Sequence, residues 1–132
     1  MASTSDRHTL RRDGVGFVLP VAAAVRLFAG RMVGLNANGY AVSGDSTAAV
    51  AIVGIAQEQV DNRDGADGDV SIETRRGMFH LKAGAAGITR AAYGKPVKAA
   101  DDESVVLVSA DAAAIVAGIV RDVDATGVWV EF

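Results

Sequence analysis

The sequence predicts a mainly β protein: a small antiparallel β-barrel or sandwich built from two pseudo-repeats, with an extended N-terminal arm and at most short helical turns. Three observations carry this. Apolar and polar residues alternate strictly in "GDVSIET" and "GVWVEF", which is the period of a half-buried strand. Asn, Asp and Gly cluster between such runs, as in "NANGY" and "DATG", where tight turns need residues that tolerate positive φ. The sequence also matches itself at an offset of 64: Arg26 with Arg90, Gly30 with Gly94, Val33 with Val97, Gly54 with Gly118 and Ile55 with Ile119. A fixed offset of this kind is the mark of an internally repeated architecture.

At 132 residues the chain is of single-domain size. Residues 1–14 read as an arm and residues 15–132 as a single β domain, with pseudo-repeats at 24–82 and 88–132. From Met1 to Asp13 the only large aliphatic residue is Leu10, too little apolar surface to fold alone. The net charge is −3, yet residues 1–31 hold five arginines against two aspartates. A basic front on an acidic body is suited to docking on an acidic surface. Arg7, His8, Arg11 and Arg12 are the candidate arm contacts, with Phe17 and Leu19 as anchors where the arm meets the body.

The run "LRRDGVGFVLPVAAAV" also has the form of a bacterial export signal, paired arginines before an apolar stretch. On that alternative residues 1–24 are cleaved, and the protein is an exported adhesive or ligand-binding β-domain. Gly16 and Pro20 interrupt the stretch. No segment reaches the roughly 20 apolar residues of a membrane span.

Along the body, "VAAAVRLFAG" and "SADAAAIVAGIVRDV" are alanine-rich enough for a helical turn, and Ser109 could cap the second. The repeat argues against a long helix at 109–123, because its counterpart "DSTAAVAIVGIAQEQV" is rich in β-branched residues. Gly54 and Gly118 sit inside apolar runs and mark bulges or close backbone approach. In "GDVSIET", Val70, Ile72 and Thr74 point one way, and Ser71 and Glu73, with Arg75 beyond them, point the other. Arg75, Arg76 and Gly77 read as a turn and "MFHL" as the returning strand, with His80 on the face opposite Phe79 and Leu81. In the last strand Val128 and Val130 oppose Trp129 and Glu131.

The residues with chemical potential do not form a catalytic pattern. Asp61, Asp64, Asp67 and Asp69 could gather around a cation, but Gly65 and Arg63 stand where an EF-hand loop needs ligands. The second repeat reduces the same loop to two residues, which marks it as a solvated hairpin loop. His80 is a lone strand histidine, and the other histidine, His8, lies in the arm, so neither a two-histidine metal site nor a Ser-His-Asp relay can be built in the body. Asp101 and Asp102 fall in the turn "ADDES", where solvation is the default. Dinucleotide and phosphate-loop fingerprints are missing, as is the basic–aromatic interleaving of a single-strand binder. The expectation is a protein that is not an enzyme, has no cofactor or metal, and binds neither nucleic acid nor membrane.

Taken together, "FAGRMVGLNANGYAV", "AIVGIAQEQVDNRDGADGDVSIETRRGMF" and "DATGVWVEF" resemble the capsid cement, or head decoration, proteins of tailed bacteriophages, across about residues 15–132. The resemblance implies a mainly β domain made in the bacterial host cytoplasm and mounted on the outer surface of the virion capsid. Its partners would be the major capsid protein and neighbouring copies of itself, a trimer being favoured and a dimer or monomer the alternatives. It supplies no active-site residues.

Overall fold

A computed structural model describes residues 4–10, 14–108 and 114–132. Strands are the main regular structure of the body, and among the described residues the one helical element is a 3₁₀ turn. The first part of the chain contributes β1 (Gly16–Pro20), β2 (Arg26–Leu27), β3 (Met32–Asn36), β4 (Ala41–Ser43), β5 (Ala49–Ala56), β6 (Val60–Asp61) and β7 (Ser71–Arg75). The second part contributes β8 (Met78–Ala83), a 3₁₀ turn at Arg90–Ala92, β9 (Pro96–Ala99), β10 (Ser104–Leu107), β11 (Gly118–Asp124) and β12 (Gly127–Glu131). "VAAAVRLFAG" is not helical; it holds a β-bridge at Val21, a turn and β2. The proposed Ser109 cap lies outside the described residues.

The two parts have the same strand order. In the first, a five-stranded sheet runs β1-β7-β5-β3-β4; in the second, β8-β12-β11-β9-β10 follows the same path and closes into a barrel through β10 and β8. Individual backbone bonds recur at equivalent positions. Gly30 N–H donates to Ala56 O as Gly94 N–H does to Val120 O, and Gly44 N–H donates to Met32 O as Val108 N–H does to Pro96 O. Arg76 N–H meets Val15 O as Phe132 N–H meets Gly77 O. These correspondences align β1 with β8, so Phe17 and Leu19 answer to Phe79 and Leu81. "MFHL" is therefore a strand, but it does not return onto β7. Its partners are β12 and β10, and although Met78–Ala83 overlaps the span 24–82, by pairing it opens the second set.

The rings differ at closure. In the second, β8 and β10 run parallel, with Lys82 N–H donating to Glu103 O at 3.0 Å and Gly84 N–H to Val105 O at 2.8 Å. In the first, only the bridge Val21–Ala41 joins the equivalent segments, with Ala22 N–H donating to Ala41 O at 3.0 Å. The residue equivalent to Lys82 is Pro20, which has no N–H to give. One missing donor leaves the first ring as a sheet with β1 at its edge.

The two glycines flagged by the repeat share a physical role. A Cβ at Gly54 would strike Arg75 O, and one at Gly118 would strike Glu131 O and come within 2.7 Å of Val130 Cγ1. Each strand approaches the last strand of its own ring too closely for a side chain. The pairing also shifts register beside Gly54 in β3–β5, so a bulge accompanies that glycine; at Gly118 the pairing is regular, and β11 bulges further along, between Val120 and Asp122.

The two parts share a core. Met32 and Ile55 of the first pack in one cluster with Leu81, Val97, Val105, Val120, Val128 and Val130 of the second. A smaller cluster of Val21, Leu27, Val33, Ala41, Ala56 and Ile72 fills the first sheet. The alternation read in β7 and β12 holds: Ile72 and Thr74 are buried between exposed Ser71, Glu73 and Arg75, and Val128 and Val130 are buried beside exposed Trp129 and Glu131. Thr74 is a buried polar residue whose hydroxyl donates to Phe17 O at 3.1 Å.

Polar contacts fasten the same junction. Arg31 Nη1 lies 2.8 Å from Asp102 Oδ1 and 3.1 Å from Glu103 Oε2, and Met32 N–H donates to Asp102 O at 2.8 Å. The "ADDES" turn is thus occupied as well as solvated: Asp101 Oδ1 accepts from the N–H groups of Glu103 and Ser104, and Asp102 joins the halves. Because Met32 is 1% exposed at the shared core, Met32→Ala is expected to cost about 2–5 kcal/mol. Urea denaturation should show this as a lower midpoint with one transition. Two separated transitions in the variant would mean that the halves do not depend on each other.

Candidate interaction surfaces

Three surfaces collect the residues with functional potential. The first is the arm and the strand it feeds. Residues 4–10, including Arg7 and His8, are exposed and outside regular secondary structure; Arg11 and Arg12 lie outside the described residues. Phe17 and Leu19 are half-buried on one face of β1, while Gly16, Val18 and Pro20 are exposed on the other. Phe17 and Leu19 line an open groove of about 340 Å³ with Ile52, Val53, Arg76 and Phe132. The structure therefore brings the two anchors together at a largely apolar seam between the halves, while the described arm residues stand away from the sheets.

The second surface is the outer face of the barrel. In the β8–β12 ladder His80 sits opposite Trp129, with ring centroids 5.2 Å apart in an edge-on arrangement. The β11–β12 turn brings in Asp124 and Thr126. His80 Nε2 is 3.3 Å from Asp124 Oδ1 and 3.3 Å from Thr126 Oγ1; Thr126 Oγ1 donates to Asp124 Oδ1 at 2.7 Å, and Trp129 Nε1 donates to Asp124 Oδ2 at 3.3 Å. His80 is thus not a solitary strand histidine. The sequence did carry a signal for this cluster, since His80 and Trp129 each alternate outward on strands that the fold pairs, but their register was not legible.

This cluster does not form a nucleophile relay. A relay needs the hydroxyl and the carboxylate on opposite ring nitrogens of the histidine, whereas here both contact Nε2. Asp124 instead holds the turn together, its Oδ1 accepting the N–H groups of Thr126 and Gly127 at 2.8 and 3.0 Å. Nearby, Arg121 pairs with Glu131 at 3.2 Å and lies over the exposed Tyr93 ring, 5.7 Å from its centroid.

The third surface is the acidic loop 61–69. Three of its four carboxylates are engaged by the protein itself. Asp61 forms a paired contact with Arg63 at 2.9 and 2.7 Å, and this, with the Arg63 N–H, holds it at about 2. Asp67 Oδ1 accepts from Ala23 N–H at 2.7 Å, and Asp69 Oδ2 from Ala66 N–H at 2.8 Å. The loop is organised by buried Asn62, whose Nδ2 lies within hydrogen-bonding distance of the carbonyls of Val21, Ala22 and Ala66. Among the described residues no group of three or more His, Cys, Asp or Glu is placed to hold a metal ion.

No family model, curated protein or solved structure matches this chain.

Asp124 is held below the ordinary carboxylate range, most strongly by the Thr126 hydroxyl, then by the Thr126 N–H, His80 and Trp129. A depressed folded value means that its contribution to stability is complete above the unfolded pKa of about 3.9 and is lost as pH falls through the folded value. Asp124→Asn keeps an acceptor in the turn but cannot titrate. Its urea midpoint should therefore fall less steeply than that of the native chain between about pH 5 and pH 2. Equal slopes for the two proteins would remove Asp124 from the acid response.

Proposed function

We propose that this protein is a non-enzymatic capsid decoration protein, which binds the outer surface of an assembled bacteriophage head and stabilises contacts of the major capsid protein. The observation that carries the reading is the junction of arm and body: residues 4–10 are exposed, the sequence after them carries Arg11 and Arg12, and β1 is an edge strand whose Phe17 and Leu19 line a largely apolar groove. That arrangement suits a brace. The duplicated body is stiffened by a core common to both halves, and an arm ordered on docking extends its reach over neighbouring subunits, at the cost of ordering it. A ligand that binds only the assembled shell stabilises the shell by linkage, and repetition across a lattice multiplies a contact of modest area.

In this reading Arg7, His8, Arg11 and Arg12 contact an acidic capsid or neighbour surface, and Phe17 and Leu19 anchor the base of the arm. The partners are the major capsid protein and neighbouring copies of this chain. The alternative, an exported adhesive or ligand-binding module cleaved near residue 24, meets a physical obstacle. Residues 16–22 include β1 and the buried Val21 and Ala22, so cleavage there would strip the strand that pairs with β7 and part of the core.

The purified protein is expected to co-sediment with expanded, undecorated capsids and to raise their resistance to heat. Deletion of residues 1–13 should weaken that binding by about tenfold or more, as the loss of a few charged contacts would, while leaving the thermal midpoint of the free protein unchanged. Failure to co-sediment would count against the capsid role, and undiminished binding by the truncated chain against the role of the arm. An intact mass of the natural protein lacking about twenty residues would favour the exported reading.

A further inference from the structure

The outer edge of β1 has a defined set of open backbone groups. Among the described residues β1 is the terminal strand of its sheet and pairs along Gly16–Pro20 with β7 alone. Val21 N–H donates to Val70 O, and Arg76 N–H donates to Val15 O, so the odd-numbered residues direct their backbone groups toward β7. By alternation, Gly16, Val18 and Pro20 direct theirs outward. Pro20 offers no donor, and the bridge to Ala41 occupies that end of the strand. What remains is the N–H and C=O of Gly16 and of Val18, with Val18 69% exposed.

We propose that a second copy of this chain adds to this edge as an antiparallel strand, about a two-fold axis through Phe17 that sets Gly16 of each copy opposite Val18 of the other. This register matches every open donor with an open acceptor, giving about four backbone hydrogen bonds across the axis. An axis through Val18 would instead set Gly16 against Pro20, which has no donor and whose end of the strand is already bridged. Exposed Gly16 and Val18 would share the outer face, and the Phe17 pair would lie on the groove side, where cross-strand aromatic pairs stabilise sheets.

Charge selects the same partner. Beyond its C-terminal end, β1 is held against the acidic loop: Gly68 N–H donates to Val21 O at 2.9 Å, and Asp67 accepts from Ala23 N–H. An antiparallel partner directs its N-terminal chain toward that end and leaves the edge before the Ala41 bridge. By sequence that chain bears Arg7, Arg11 and Arg12, opposite in charge to Asp64, Asp67 and Asp69 in the acidic loop of the other copy. The contact is reciprocal, as a two-fold interface requires. It does not rest on the capsid reading, and it gives a dimer in place of the trimer that the family resemblance favours.

The chain contains no cysteine, so introduced thiols report the register directly. Gly16 and Val18 of opposite copies form a hydrogen-bonded pair with Cα atoms about 5.5 Å apart, within disulfide reach, whereas Val18 lies about 7–8 Å from its own counterpart. Mixing Gly16→Cys with Val18→Cys under mild oxidation should give the disulfide heterodimer, with little homodimer from either variant alone. Sedimentation equilibrium of the native chain should show a concentration-dependent dimer. Val18→Pro removes one outward donor and should weaken that dimer by about tenfold or more, with an unchanged circular dichroism spectrum. A native chain that stays monomeric at all concentrations, or forms a trimer, overturns the proposal. So does efficient cross-linking by Val18→Cys alone, which would place the axis elsewhere.

Discussion

Closing a five-stranded ring requires its first strand to meet the strand that lies last in the spatial order, and in both halves of this protein that contact is parallel. The second half makes it with consecutive bonds from Lys82 and Gly84 to Glu103 and Val105. The first half makes it with a single bridge, because Pro20 stands where Lys82 stands in the other ring and cannot donate. Closure removes sheet edges and the association hazard they carry. The proline therefore determines which half is sealed and which keeps an edge, and the exposed edge is the strand that the arm leads into.

The incomplete ring is supported from outside. Met32 and Ile55 reach from its central strands into the core of the closed barrel. Arg31 beside them is held by Asp102 and Glu103, so the turn before β10 acts as a clasp between the halves. The packing across this seam is apolar and the fastening at its rim is ionic. Rim ion pairs of this exposure add little stability alone; their value lies in fixing how one ring sits on the other. The result is a body in which strands distant in sequence pack on one another, with its candidate binding groups on the perimeter.

The polar clusters fit the same division of labour. Asp101, Asp124 and Asn62 each accept from or donate to the backbone of a turn, Asp61 pairs with Arg63 in its own loop, and Asp67 accepts from Ala23 N–H beyond β1. The first three side chains act here as partners of turn backbone. The exposed large apolar side chains are dispersed, among them Val18 on the edge, Met78, Tyr93 and Trp129 on the barrel face, and Leu10 in the arm. Such a surface is suited to recognition by area and shape.

Much of the fold was legible in the sequence because its signals are local. Alternation identified the buried faces of β7 and β12 from side-chain order alone. The Asn, Asp and Gly runs marked the turns, and equal spacing of Arg26 with Arg90 and Gly54 with Gly118 betrayed the duplication. What the sequence could not determine was pairing, because hydrogen bonds between strands depend on residues far apart in the chain. "MFHL" is unmistakably a strand, yet only the tertiary structure decides that it leaves β7 and joins β12. The same limit hid the partners of His80, which come from β12 and its turn, and the clasp between Arg31 and Asp102. Local chemistry set where strands begin, turn and bury a face; the three-dimensional meeting of distant backbone donors and acceptors decided which ring closed, and which edge was left open by one proline.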